Sequence, residues 1–255
     1  MAVHHLASIS WPAFRVLRSP RLVAVLPLGA IEAHGPHLPL GTDILIAEAM
    51  ARAGATRLAR RGFDVLVLPA LPVAPAPFAA AFEGTIDTPA AASAAIIEGI
   101  SRSLGRHGVA VTVIANAHHD PANVRAVRDA VRQIEQEAAT RLLFPDLTRR
   151  RWASRLTDEF QSGACHAGRY ETSVMMAVAT ETVDALAAAA LAPNPRSLVA
   201  AIQRGDRTFA EAGGAAAYFG APAEATAEEG RDIIDRLGAI IEDAVVEALE
   251  HHADR

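Results

Sequence analysis

The chain has 255 residues, of which 51% are hydrophobic and 21% charged, and its formal net charge is −5. This length and composition suit one globular domain with a sizeable core. Every basic residue other than histidine is arginine, which excludes a lysine Schiff base and a phosphate loop ending in Gly-Lys-Ser/Thr. Without a basic stripe, the chain is not expected to bind nucleic acid.

Three further observations concern the cellular environment. No apolar run reaches the roughly 18 residues that span a bilayer, so we expect no membrane partner. The N-terminal stretch MAVHHLASISWPAF lacks the basic head and long apolar core of a signal peptide. The single cysteine, Cys165, excludes an intrachain disulfide. Together these features predict a cytoplasmic protein.

Short apolar runs alternate with segments of helical pattern along the chain. We predict strands at 22–28, 63–69, 109–115 and 141–145, and helices that begin at Thr42 or Asp43, at Thr88 and Pro89, and at Pro121. After residue 160 the pattern predicts a loop and a helix within 166–183, then a long helix over about 226–250. This alternation predicts an α/β fold with a parallel sheet, and wholly apolar strands indicate helices on both faces. No linker divides residues 1–255, so we expect a single domain.

The first reactive cluster lies directly after the first predicted strand. The loop AIEAHGPHLPLGTD (30–43) is too rich in glycine and proline for a long helix. Glu32 and His34 are two positions apart, and in extended backbone such side chains point to the same side. Asp43 lies where the loop enters its helix, so it can fold back toward both.

A second cluster, NAHHDPAN (116–123), follows the third predicted strand and repeats this spacing with His118 and Asp120. Ligands bind at the carboxyl ends of parallel strands, so the two clusters face each other if their strands are neighbours. The mixture of carboxylate and imidazole suits Zn²⁺, Mn²⁺ or Fe²⁺. Five side chains exceed the needs of one open catalytic zinc, so we predict two divalent ions bridged by Asp43.

Each of these side chains also has a plainer interpretation. A lone histidine is more often a surface or core residue, and Glu32 could simply cap a turn. Asp43 and Asp120 could each cap the helix that follows. The metal site is favoured because two such clusters fall at one edge of the predicted sheet.

A third cluster, CHAGRYETS (165–173), carries His166 on a flexible loop and Glu171 near a helix start. Either side chain could donate a proton beside a metal site. The alternative is a loop histidine and an ordinary first-turn glutamate.

These motifs resemble those of the creatininase (creatinine amidohydrolase) family. Four stretches carry the likeness in the family's order: LPLGAIEAHGPHLPLGTD (26–43), NAHHDPAN (116–123), HAGRYETS (166–173) and GAPAEATAEEG (220–230). The resemblance implies a three-layer α/β/α sandwich with a mostly parallel sheet, commonly assembled as a homohexamer. It also implies two divalent metals per subunit and hydrolysis of amide C–N bonds.

The resemblance also implies roles for individual residues. It assigns metal binding to Glu32, His34, Asp43, His118 and Asp120, the last standing where creatininase itself has a glutamate. It assigns catalytic roles beside the metals to His166 and Glu171. We expect substrate contacts from His37, His119 and Phe78.

The chain departs from the family around the substrate. The segment APAPFAAAFEGT (74–85) lacks the polar side chains of many members, and Ser162, Gly163 and Cys165 replace Trp, Asp and Glu of creatininase. We therefore predict a two-metal hydrolase that cleaves a non-peptide C–N bond, in a lactam or related small amide, by a metal-bridging hydroxide. The alternatives are a peptidase of a cofactor-precursor peptide, a formamide deformylase, and a metal-dependent binding protein without catalysis.

Overall fold

Five parallel strands form the sheet at the centre of the molecule. The computed structural model describes residues 2–137 and 140–250. Within them the strands are β1 (Val3–His5), β2 (Leu22–Leu28), β3 (Asp64–Val67), β4 (Val111–Asn116) and β5 (Leu142–Leu143). They pair in the order β1-β3-β2-β4-β5, and every pairing is parallel. The four predicted strands are confirmed, whereas β1 has no apolar run that would predict it.

Helices connect and cover these strands. They are α1 (Trp11–Leu17), α2 (Thr42–Arg60), α3 (Ala90–Arg106), α4 (Pro121–Glu137), α5 (Arg150–Ala153), α6 (Asp158–Ser162), α7 (Arg169–Val178), α8 (Ala185–Ala190), α9 (Leu198–Arg204), α10 (Phe209–Ala212) and α11 (Ala227–Glu250). The predicted starts at Thr42 and Pro121 are confirmed. The helix expected from Thr88 begins at Ala90, because Pro89 keeps an extended ψ of 130° and acts as the N-cap. Among the described helices, none combines the length and apolarity of a membrane span.

The sheet is buried on both faces. Val23 and Val25 of β2 pack with α2, α7 and α11, whereas Leu22 and Leu26 point to the opposite side, toward α1 and α3. Alternate residues of a strand point to opposite faces, so a wholly apolar strand such as β2 requires two helical layers. Burying each leucine or valine contributes about 1.5–3 kcal/mol. The predicted α/β/α sandwich is confirmed.

The two central strands end side by side. Leu28 and Asn116 are paired in register, and the N–H of Ala117 donates to the carbonyl of Leu28. The backbone turns sharply at Gly29, where a Cβ atom would lie 2.5 Å from the backbone nitrogen of Ile44. The loops after β2 and β4 therefore leave the sheet together, against the start of α2.

Candidate metal centre

Asp43 lies between two imidazole rings where these loops meet. Its Oδ1 is 3.2 Å from Nε2 of His34, and its Oδ2 is 2.9 Å from Nδ1 of His118. The N-cap of α2 is Gly41, so Asp43 is not the helix cap. Burial alone would raise the pKa of Asp43, but the two rings outweigh it and hold that pKa well below its usual range. The prediction that the two sequence clusters face each other is confirmed.

Three histidines around this point are fixed by backbone carbonyls. The contacts are His34 Nδ1 to Glu32 at 3.0 Å, His118 Nε2 to Pro75 at 2.8 Å, and His166 Nε2 to Ala33 at 2.9 Å. A ring nitrogen that bonds a carbonyl must carry the proton, so in the neutral ring the other nitrogen presents a lone pair. All three lone pairs point toward carboxylate oxygens. This carbonyl support of the outer nitrogen is typical of metal-binding histidines.

The donor atoms fit divalent cations. In the part of the chain that the structure describes, Nε2 of His34 and Oε2 of Glu32 are buried without a hydrogen-bond partner, which costs about 1–3 kcal/mol each unless a cation compensates. In the described residues, three sets of ligand atoms lie within 4.8 Å of one another: Glu32 with His34 and His166, Glu32 with Asp43 and His118, and His34 with Asp43 and Glu171. Such mixed oxygen and nitrogen sets suit Zn²⁺ or Mn²⁺.

Glu171 belongs to the third of these sets. It lies in the first turn of α7, with Oε2 3.6 Å from Nε2 of His34 and accepting the N–H of Ala167 at 2.6 Å. Burial raises the pKa of Glu171 to about 8 although His34 opposes the shift. Burial lowers the pKa of His34, but nearby carboxylates, Asp43 first, raise it overall to about 10. The carboxylates of the centre therefore favour positive charge beside them, which protons on the histidines or a bound cation supply.

Asp120 does not join any of these sets. Its Oδ1 accepts the N–H of Ala122 at 2.7 Å, and its Oδ2 accepts the N–H of Phe78 at 3.2 Å. The carboxylate thus caps the start of α4 and holds the segment 74–85, and the ligand role of Asp120 stays a prediction. Aspartate is one methylene shorter than glutamate, and this geometry engages both of its oxygens with backbone donors.

A cavity of about 490 Å³ opens from the centre toward solvent. Glu32, Asp43 and Glu171 form part of its wall, and the predicted substrate-side residues Phe78 and His119 also line it. His37 does not. Its ring is buried against α7, with Nε2 2.8 Å from Oγ1 of Thr172, so it contacts that helix and not the cavity.

His166 stands at the boundary between the centre and the cavity. Its ring stacks between His34 and Phe209, with 4.3 Å between centroids on each side. Its Nδ1 is 3.7 Å from Oε1 of Glu32. Burial and the neighbouring His34 lower the pKa of His166 to about 4. The ring is therefore neutral near pH 7, with the Nδ1 lone pair available to accept a proton.

Several contributors to the site leave no signal in the sequence. Residues 74–82 carry no polar side chain, yet this stretch acts through its backbone, in the carbonyl of Pro75 and the N–H of Phe78. Backbone groups produce no sequence pattern. Phe209 lies more than forty residues after His166, so no residue spacing in the sequence indicates that the two rings stack.

The fold and this centre define an α/β protein with a buried carboxylate and histidine site at the carboxyl ends of β2 and β4. The profile of the creatininase family, described as creatinine amidohydrolase, matches residues 7–245. The chain belongs to the creatininase family of metal-dependent amidohydrolases, as the sequence motifs predicted.

Individual relatives give more detail. A mycofactocin precursor peptide peptidase of Mycobacterium ulcerans is 34% identical over 219 residues, which cover 84% of this chain and 80% of that protein. The creatinine amidohydrolase of Pseudomonas putida is 30% identical over 103 residues, 38% of each chain. A solved structure named "Creatininase Mn" superposes with a TM-score of 0.71 at 22% identity, covering 97% of this chain and 99% of that one. That structural likeness supports the fold.

Proposed function

We propose that this chain hydrolyses an amide bond in a peptide, using two divalent ions. The proposed ligands are Glu32, His34, Asp43, His118 and Glu171. The observation that carries the proposal is the position of Asp43, whose two oxygens each face the imidazole nitrogen that is not bonded to a backbone carbonyl, one in His34 and one in His118. A carboxylate placed in this way suits a ligand shared between two ions.

The residues around the ions have separate tasks. Bound divalent ions would supply Lewis acidity toward the amide carbonyl and would lower the pKa of water. His166 can take a proton from the attacking water at Nδ1, because its Nε2 proton is committed to Ala33. The same Nδ1 can then return the proton to the leaving nitrogen. Transfers of this kind contribute about 10²–10⁴-fold in rate.

The cavity and the relatives favour a peptide substrate. A volume of about 490 Å³ lies in the range of sites for ligands larger than a single small ring. Two relatives of 34% and 31% identity, which cover 84% and 87% of this chain, are named as peptide peptidases. The apolar part of the wall, with Phe78, Ile202 and Phe209, favours the second candidate, a lactam or other cyclic amide.

A panel of amide substrates tests the proposal. Protein loaded with Mn²⁺ or Zn²⁺ is incubated with blocked peptides, lactams and cyclic imides, and the released amine is measured by chromatography and mass spectrometry. We expect peptide cleavage that is lost after chelation and in Asp43→Asn. The surface variant Asp232→Asn, on the exposed side of α11, should retain it. Turnover of lactams alone would support the second candidate.

No turnover of any amide by metal-loaded protein would contradict hydrolysis. It would favour the binding protein without catalysis that the sequence left open. The homohexamer implied by the family resemblance stays a prediction, which light scattering of the loaded protein tests.

A further inference from the structure

The first two turns of α4 form one wall of the cavity. Pro121, Val124, Arg125 and Arg128 line it and recur at the spacing of one helical face. Asp120, which caps this helix, also lines the cavity beside the centre. With a rise of about 1.5 Å per residue, Arg125 lies about 7.5 Å further along the helix axis than Asp120. The cavity therefore extends outward from the centre along α4.

The two arginines on this wall differ in their partners. Arg128 donates through Nε to Oδ2 of Asp146 at 2.8 Å, and its NH2 group reaches Thr148 at 3.2 Å. The side chain of Arg125 is exposed and makes no hydrogen bond or ion pair with any residue in 2–137 and 140–250. Its guanidinium is thus the cavity-lining arginine whose charge the described residues leave uncompensated.

Beyond the centre, Asp120 and the two arginines, the side chains that line the cavity are uncharged. They include Gln161, Ser162, Ser197 and Gln203, which suit the N–H and C=O groups of a peptide. None of them supplies a negative charge to Arg125, so an anionic partner would have to come with the ligand. A guanidinium binds a carboxylate through two parallel hydrogen bonds, which makes a carboxylate the best single-group partner.

We propose that Arg125 binds the terminal carboxylate of a short peptide whose scissile amide lies at the metal centre. This inference rests on the proposed peptide hydrolysis. The leaving fragment would therefore end in a free carboxylate.

Pairs of substrates test this role. Each pair has the same blocked sequence and the same scissile amide, but one member ends in a free carboxylate and the other in a carboxamide. For the native enzyme we expect kcat/KM to be about 10-fold higher for the acid, as befits one charge-assisted contact near the surface. In Arg125→Gln the ratio of acid to amide should fall to near one. Arg132→Gln, seven residues further along α4 and outside this cavity, should keep the native ratio.

A binding measurement without turnover separates this inference from the proposed hydrolysis. Titration calorimetry with a short peptide acid and the matching peptide amide measures the same preference without turnover. If no peptide is cleaved but the acid binds more tightly and Arg125→Gln removes that preference, the hydrolysis fails and the carboxylate site stands. An acid preference that persists in Arg125→Gln, or equal binding of acid and amide to the native protein, overturns the role of Arg125.

Discussion

Oδ2 of Asp43 lies 2.9 Å from Nδ1 of His118, although the same ring bonds the carbonyl of Pro75 through its other nitrogen. In the neutral ring, a lone pair therefore faces a carboxylate oxygen. The same repulsion between a lone pair and a carboxylate oxygen recurs on the other side of Asp43. There Nδ1 of His34 bonds the carbonyl of Glu32, so Nε2 faces Oδ1 of Asp43. Both contacts become favourable only when a cation or a proton lies between the two atoms. Asp43 thus requires positive charge on each side.

The first prediction removes the charge of Asp43. Asp43→Asn keeps the shape of the side chain but places an amide where a carboxylate faces two histidines. We expect metal affinity to fall by at least about 100-fold, the upper end of what loss of a supporting contact costs. Metal content after gel filtration and competition with a chromophoric chelator measure the loss. Asp232→Asn, which removes an exposed carboxylate paired with Arg236, should bind the native amount.

The second prediction concerns pH and metal removal. In metal-free protein the pKa of His34 is raised to about 10 and that of Glu171 to about 8, from 6.5 and 4.5. Both groups hold protons more tightly in the folded chain. Their contribution to stability is therefore fully present below the unfolded pKa values and is lost as pH rises through about 8 and about 10.

Urea unfolding of chelator-treated protein measures this effect. The midpoint should fall between about pH 7.5 and about pH 9.5, and the fall should be smaller in His34→Asn. Metal-loaded protein should show a weaker dependence, because bound ions displace these protons. A metal-free midpoint that stays level over this range would contradict the tight proton binding by His34 and Glu171.

The position of the centre could be predicted because it follows from the strands. Wholly apolar runs at 22–28 and 109–115 indicate central parallel strands, and the carboxyl ends of such strands share an edge. Glu32, His34 and His118 follow those ends directly, so the sheet brings them together without further assumptions. Asp43 joins them because the intervening loop is short and stiff.

Details that depend on one bond length or one backbone group could not be predicted. The sequence suggested Asp120 as a ligand, yet its oxygens meet the N–H groups of Ala122 and Phe78. A substrate contact was expected from His37, but its ring lies against Thr172. These outcomes depend on which backbone or hydroxyl groups lie within hydrogen-bond reach, and residue spacing does not specify that.

The third prediction separates Glu171 from Asp120. Glu171→Gln replaces a carboxylate near His34 with an uncharged amide, which binds a metal ion more weakly. The variant should therefore hold less metal per chain. Asp120→Asn should keep the native metal content, because its carboxylate serves the backbone. Elemental analysis of both variants after identical loading distinguishes the two roles. Metal loss in Asp120→Asn with full occupancy in Glu171→Gln would reverse the two assignments.

The fourth prediction tests proton transfer by His166. His166→Gln removes the Nδ1 lone pair that faces the cavity while keeping a group able to bond Ala33. We expect kcat to fall by about 10²–10⁴-fold with little change in metal content. His107→Gln, at the end of α3 on the far side of the sheet, should leave kcat unchanged. A variant that loses metal in proportion to activity would identify His166 as a ligand instead.

The last prediction concerns the helix crossing that supports Glu171. Gly230 of α11 packs so closely on α7 that a Cβ atom there would lie 1.9 Å from the carbonyl oxygen of Ser173. Gly230→Ala must push the two helices apart, and we expect a loss of about 1–3 kcal/mol in unfolding free energy.

Gly99 serves as the control. It is exposed within α3, and a Cβ atom added there would have no neighbouring atom within 4 Å. Gly99→Ala should therefore stabilise the protein by about 0.5–1 kcal/mol, because alanine is the better helix former. Urea unfolding of both variants without metal measures the difference, and equal midpoints would show that α7 and α11 adjust freely at this crossing.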